Sequence, residues 1–355
     1  MSKRILIFIL VVCLCACQRK VPAETPATII DMPASTEQGG ALSGGSTTAP
    51  LLLKTDLLEG TDWPRVELVS GQAFISCDLD YPAKGDGEPL IDLSYTGVTA
   101  ALEPCKDAGV VRLRYEGKIG ADFTALVERV ANAAKRLQIG RHVLDLDSSG
   151  GHVEDAMKAG DAIGASQWTL WVRDHAICHS ACVLILAAGD SRQIAGKVGI
   201  HRMIRVDSTA STRADLSQEL REVYAQMKEY LERNGASVAV ADLMMTVPNR
   251  KLRLLTDTEL EEYGLEGTNA VQDDLERIQL TRRCGEDFVR RKDEFSRAYD
   301  RHCAQPGKAL EEADQCATGL EQEFGFPDPK CPADRPLSWE QSPVRIHAGS
   351  PAGAR

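Results

Sequence analysis

Apolar and polar positions follow two periods along the middle of the chain. Val110–Gly117 (VVRLRYEG) has the β-branched, alternating content of a strand. From Ala121 to Leu137, the residues Leu126, Val127, Val130, Ala131, Ala134 and Leu137 fall on one face at helical spacing, which predicts an amphipathic helix. Gly140 stands where a C-cap would close it. His142–Asp147 is almost continuously apolar, as a buried parallel strand is. Val153–Ala165 reads as a helix with small residues at Ala156, Gly160, Ala162 and Gly164. Its glycines lower helix propensity, so close packing against a sheet is the reason for them. Trp168–Val172 is a third strand, Ala181–Ala188 a short apolar helix ending at Gly189, and Arg192–Ile200 a further strand. A long amphipathic helix follows from Leu216 to Leu231, then a helical stretch near 236–246 and the segment LLTDTELEEYGL at 254–265. Alternating strand and helix predict an α/β fold with a largely parallel sheet and flanking helices.

The flanks read differently. Lys3 and Arg4 precede an unbroken apolar run from Ile5 to Cys15, of signal-peptide length. The run ends Leu14-Cys15-Ala16-Cys17, which resembles a bacterial lipoprotein box with Cys17 as the acylated residue; a plain secretory signal cut nearby is the alternative. Fatty acyl chains such as palmitate on one cysteine make a stable anchor, since each buried methylene contributes about 0.8 kcal/mol. Gln18, where other lipoproteins carry an aspartate for retention, implies the outer membrane facing the periplasm. The expected organisation is a signal peptide at 1–16, a disordered Pro/Thr/Ser/Gly-rich tether at 17–60, an irregular β-rich region at 61–107, the α/β domain at 108–270, a disulfide-stapled helical region at 271–335 and a disordered tail at 336–355.

The net charge of −11 is spread along the chain, and no basic stripe with interleaved aromatics suggests nucleic acid. No motif calls for a cofactor. Of the 11 cysteines, Cys77, Cys105, Cys178, Cys182, Cys284, Cys303, Cys316 and Cys331 lie beyond the leader. An even number in an exported chain suggests disulfides. Nearest-neighbour pairing would join Cys77 to Cys105, Cys284 to Cys303 and Cys316 to Cys331. Cys178 and Cys182 lie close enough on a helical turn to bridge. A zinc site with His175 and His179 is the other reading, but four ligands within eight residues hardly converge tetrahedrally, so no metal is expected.

The candidate chemistry lies between Leu144 and His201. A strand runs into Gly150-Gly151, Ser180 sits where a strand turns into a helix, and His201 follows a strand. Acyl transfer needs a hydroxyl nucleophile, a base to activate it and backbone N–H groups to hold an oxyanion. Each piece has a plainer role open to it: Ser180 as a helix N-cap, His201 as a satisfied histidine at a strand end, the glycine pair as an ordinary turn. His179, next to Ser180, points away from it as neighbouring side chains do. His152 lines the cleft or caps a helix.

The joint order of Gly150-Gly151, Cys178-His179-Ser180-Ala181-Cys182, Gly199-Ile200-His201 and the EYGL at 262–265 resembles the ClpP-like serine proteases of the Clp/crotonase fold, in particular exported members, over about 108–270. The resemblance implies Ser180 as nucleophile, His201 as base, and the amides of Gly151 and Ala181 as the oxyanion hole. The place of the family's aspartate is TVPNRK here, which offers Asn249 and no acid, while Asp242 or Asp257 could reach in from nearby turns. It further implies a peptide or protein substrate and homo-oligomers. Two functions follow as expectations: a membrane-tethered periplasmic serine peptidase working through a Ser-His pair, or a non-catalytic scaffold binding a protein partner. Acyl-CoA chemistry, which the same fold hosts, fits poorly with export.

Overall fold

The computed structural model describes residues 28–31, 42–43, 60–206, 208–303, 310–332 and 334–336. The signal peptide, the lipidation site Cys17 and the tail at 337–355 lie outside the described residues.

Along the chain, strands β1 (Ile29–Asp31), β2 (Leu42–Ser43) and β3 (Gly71–Ser76) come first, then helix α1 (Tyr81–Lys84) and strand β4 (Glu88–Pro89). Helices α2 (Tyr95–Leu102) and α3 (Cys105–Ala108) lead to β5 (Val110–Gly117), α4 (Ala121–Arg136), β6 (Arg141–Asp147), α5 (Val153–Gly164) and β7 (Trp168–Val172). Next are β8 (Ile177–His179), α6 (Cys182–Ala187), β9 (Ser191–Ile194), β10 (Lys197–Ile200) and β11 (Ile204–Arg205). The domain closes with α7 (Arg213–Arg233), α8 (Ala239–Thr246), β12 (Lys251–Leu254), α9 (Asp257–Glu262) and β13 (Gly267–Thr268). Helices α10 (Ala270–Cys284), α11 (Glu286–His302) and α12 (Leu310–Glu323) follow.

Two sheets organise the domain. The larger has the order β13-β9-β7-β6-β5-β3-β4, and its central strands β9, β7, β6 and β5 are mutually parallel. The smaller has the order β1-β12-β10-β8, with β8 and β10 parallel. After β7 and again after β9 the chain leaves the large sheet and lays its next strand in the small one. This is the expected mixed α/β architecture, a largely parallel sheet with flanking helices followed by a helical region with its cysteines in disulfides.

The crossing between sheets corrects the expectation of one strand over Arg192–Ile200. Two strands occupy that span, broken at Ala195-Gly196. At Gly196 a side chain has no room: a Cβ would lie 2.3 Å from the Ala176 carbonyl oxygen and 2.5 Å from that of Arg173. The backbone is pressed against the β7–β8 turn, and the chain changes sheets there. Helix α4 ends before Gly140, at Arg136 with Leu137 as its C-cap, because Gln138 takes the left-handed conformation (φ 58°) that the glycine was expected to supply. The region expected to be irregular β contains helices α1 and α2. Ser94 caps α2 by accepting from the Gly97 N–H, and Val98 and Leu102 are buried. Two short strands, β1 and β2, fall inside the span read as tether and pair with β12 and β11.

One face of the large sheet packs on α4 and α5, whose apolar faces are buried in the main core. The other carries charge. Arg112 and Arg114 of β5 converge on Asp145 of β6, and Arg173 joins them. The segment after β3 covers this face. Arg112 donates to the Asp78 and Gly85 carbonyls, and the Cys77–Cys105 disulfide, paired as expected, pins the cover to α3.

The last three helices hold a core of their own around Phe288, Phe295, Tyr299 and Phe326. Their disulfides are nested, Cys303–Cys316 inside Cys284–Cys331, instead of the expected nearest-neighbour pairs. Antiparallel α11 and α12 bring Cys303 and Cys316 together across their connection, and the outer pair ties the end of α10 to the chain after α12.

Candidate active site

Strands β8 and β10 lie side by side, parallel, with His179 opposite Gly199. Ser180 is the residue after β8, and His201 is the residue after β10. Neighbouring strands run about 4.8 Å apart, so the 21-residue excursion through α6 and β9 returns the imidazole to the adjacent strand end, one step beyond the level of the serine. A hydrogen bond of 2.7 Å from the Ser180 N–H to the Gly199 carbonyl locks the two strand ends together.

At Ser180 the chain turns sharply from strand into helix. Its φ is +61°, the left-handed region, which costs a non-glycine residue about 1–2 kcal/mol. The N-cap is Ala181, and α6 carries no side-chain cap, so the hydroxyl is not spent on capping. The glycine pair is packed on this turn. Gly150 has φ +98°, and a Cβ there would lie 2.7 Å from both the Ser180 Cβ and the His179 carbonyl oxygen, and 3.1 Å from the Ala181 nitrogen. A Cβ on Gly151 would fall 2.0 Å from the Ile119 carbonyl oxygen. The N–H groups of Gly151 and Ala181 donate to no carbonyl among the described residues. Cys178 and Cys182 are joined in a disulfide that brackets the serine, with Cα atoms 5.2 Å apart.

Buried polar groups in folded proteins are nearly always hydrogen-bonded. Among the described residues six buried side-chain atoms are not, and three of them belong to these two strand ends: Ser180 Oγ, His201 Nε2 and His179 Nε2. Ser180 and His201 are 0% and 1% exposed. They make no hydrogen bond to each other. His201 Nδ1 lies 3.0 Å from the carbonyl oxygen of Arg202. A carbonyl only accepts, so Nδ1 carries the proton and Nε2 keeps its lone pair. The Arg202 backbone is itself fixed, its N–H donating to the Val247 carbonyl at 2.7 Å.

The group behind the imidazole is therefore main chain. Asn249, expected as the orienter, is exposed and makes no hydrogen bond to His201. Asp242 is exposed and accepts from the Tyr224 hydroxyl, and Asp257 is exposed in the first turn of α9. The peptide of Arg202 lies between His201 and the end of α8, so the imidazole faces backbone there, and no sequence signal marks a carbonyl in this role.

His179 sits closer to the site than adjacency to Ser180 suggested. Its ring packs on Gly199, where a Cβ would be 3.0 Å from His179 Cδ2. Burial, and then the neighbouring His201, push its pKa down to about 4, so it is neutral at pH 7. Asp147 was also missed. One carboxylate oxygen accepts the Ile177 N–H at 3.1 Å and the other meets Arg114 at 3.3 Å, tying the start of β8 to the charged face of the large sheet. Its place just before Ser148 at the end of a parallel strand is the signal that would have pointed to it. His152 is the N-cap residue of α5 and forms no side-chain cap, while His175 is exposed beside Asp174 and takes no part.

No family model matches the chain, and no curated protein matches it. Among solved structures it is similar to a membrane-bound stomatin-specific protease, 1510-N. A lysine-to-alanine mutant of that protein in complex with a substrate peptide shares 18% identity at a TM-score of 0.35, covering 44% of this chain and 72% of that one. A serine-to-alanine mutant shares 17% at 0.36, covering 44% and 76%. No described helix is long and apolar enough to cross a membrane.

Proposed function

We propose that the protein is a serine peptidase, held to the bacterial envelope by lipid on Cys17 and acting on peptides in the periplasm. One observation carries the chemistry: a buried, unpartnered serine hydroxyl on a strained strand-to-helix turn, beside an imidazole whose free nitrogen is Nε2. In this reading His201 Nε2 takes the proton as Ser180 Oγ attacks the peptide carbonyl. The oxyanion is received by the N–H groups of Gly151 and Ala181, and losing one such donor typically costs about 2.7–4 kcal/mol in the transition state. The imidazolium, steadied through Nδ1–H by the Arg202 carbonyl, returns the proton to the leaving amine. Water then enters by the same base and releases the acid, restoring Ser180. A carbonyl stabilises the imidazolium less than a carboxylate does, so turnover is slower than with a full triad. Catalytic hydrogen bonds are often long before substrate binds, and the Ser180–His201 bond forms on engagement.

The missing Ser180–His201 hydrogen bond and the lack of an acid behind the imidazole favour one other reading, a scaffold that binds a partner without chemistry. A fluorophosphonate probe separates the two. Labelling of the wild type that disappears in Ser180→Ala supports the peptidase; no labelling of the wild type, with the Ser180→Ala protein still rescuing a deletion strain, supports the scaffold. The envelope anchor is tested by Cys17→Ser, which should release the protein from membranes.

A further inference from the structure

A groove beside His201 plays no part in the steps above. Helices α7 and α8 and the loop after β10 enclose a cavity of about 510 Å³, which continues into a second of about 340 Å³. Both are bordered by Arg202, Leu216 and Leu220. Arg202 follows His201 and supplies the carbonyl that holds its Nδ1, so the groove borders the chain segment that carries the imidazole.

The floor is apolar, formed by Leu216 and Leu220 with Met245. The rim is basic. Arg202, Arg213 and Arg221 all line it, and none of them pairs with a carboxylate among the described residues. Arg205 nearby is paired, with Glu154 and Glu219. The one acid lining the groove, Asp242, accepts the Tyr224 hydroxyl. Arg221 donates to the Ser217 hydroxyl at 3.1 Å, and three guanidiniums with no carboxylate partner among the described residues, set around an apolar trough, reverse locally the sign of a chain whose net charge is −11. The lip of the second cavity is the strand β11, and its backbone already takes an extended segment, Leu42–Ser43, in parallel register.

The geometry points to a subsite for an extended peptide that carries a large aliphatic side chain beside a carboxylate. The aliphatic group would leave water against Leu216, Leu220 and Met245, and the carboxylate would accept from the planar donor fork of an arginine, which suits it better than any neutral donor. This assignment rests on the peptidase reading for its purpose, but binding needs no chemistry at Ser180, so the two fail separately.

The test uses the full chain carrying Ser180→Ala and two fluorescein-labelled peptides of one sequence, one containing Leu-Glu-Leu-Asp and the other Leu-Gln-Leu-Asn. Fluorescence anisotropy at low ionic strength should show the acidic peptide bound roughly tenfold more tightly. The preference should vanish when Arg213→Glu and Arg221→Glu are added, exposed changes that leave the fold intact, and should weaken with salt in the Ser180→Ala protein. Equal affinity for both peptides, no binding of either, or a preference that survives the two charge reversals would overturn the assignment. So would binding to phosphatidylglycerol vesicles alone, lost on the same reversals, which would make the groove a lipid contact.

Discussion

Gly150 and Ser180 are in direct contact, so closely that an alanine methyl at 150 would stand 2.7 Å from the serine Cβ. The two residues follow strand ends of different sheets, and the contact sets the Gly150-Gly151 turn, whose second N–H is an oxyanion donor in the proposed peptidase, against Ser180. Gly150→Ala must move either the turn or the loop and also places alanine at φ +98°. We expect a stability loss of about 1–3 kcal/mol and a fall in fluorophosphonate labelling rate of roughly a hundredfold or more, the scale of a lost oxyanion donor. Labelling at the wild-type rate would mean that Gly150 does not position the site.

Asp145 holds three arginines on the covered face of the large sheet. Arg114 reaches it at 2.8 Å, Arg173 at 3.0 Å and Arg112 at 3.4 Å, and the carboxylate and the Arg112 side chain are both wholly buried. Arg114 keeps Glu116 and Asp147, and Arg173 keeps Asp86, but the wholly buried Arg112 loses its nearest carboxylate, so Asp145→Ala should lower stability by about 3–5 kcal/mol in urea unfolding. Asp147→Asn, whose side chain is about a third exposed, should cost about 1 kcal/mol or less. Equal losses would show that burial of the network is not what makes Asp145 matter.

What was legible in the chain was the long, periodic part. The strands Val110–Gly117 and Trp168–Val172 lie where their alternation and apolar content put them, because each is buried by tertiary packing that the pattern itself anticipates. A strand running into Ser180 was expected from the motif, but its bounds Ile177–His179 were not legible: no alternation can show over so short a run, and its pairing depends on β10 lying beside it. Lys251–Leu254 escaped for the same reason. In the site, side chains that motifs name were readable and main-chain partners were not. The Arg202 carbonyl behind His201, and the approach of His179 to His201, are set by two strands' relative register, which no single segment encodes.

His179 makes stability depend on acidity in a definite direction. Its pKa lies near 4 in the folded protein, against about 6.5 when exposed. As pH falls from about 6.5 toward 4, the unfolded chain takes up a proton here and the folded one does not, so stability declines over that window. The full effect is about 3 kcal/mol. Urea unfolding of the wild type at neutral and mildly acidic pH should show the decline, and His179→Leu should flatten it. An identical acid slope in both proteins would place the effect in other groups.

The Cys178–Cys182 disulfide separates site geometry from global stability. It closes a loop of only a few residues, so loop entropy gives it about 2 kcal/mol, against about 3 kcal/mol for Cys303–Cys316, which spans 13 residues. Yet it clamps the two residues on either side of the left-handed Ser180 turn. The double change Cys178→Ser, Cys182→Ser should therefore cost the α/β domain about 2 kcal/mol in urea unfolding and slow fluorophosphonate labelling several-fold or more. The double change Cys303→Ser, Cys316→Ser should loosen the C-terminal helices, whose separate core is small, and leave labelling intact. Amide hydrogen exchange resolved by segment reads both at once. Loss of labelling from the C-terminal change would show that the helical unit supports the site, and unchanged labelling after the first would show that the strand pairing of β8 with β10 alone holds the serine in its conformation.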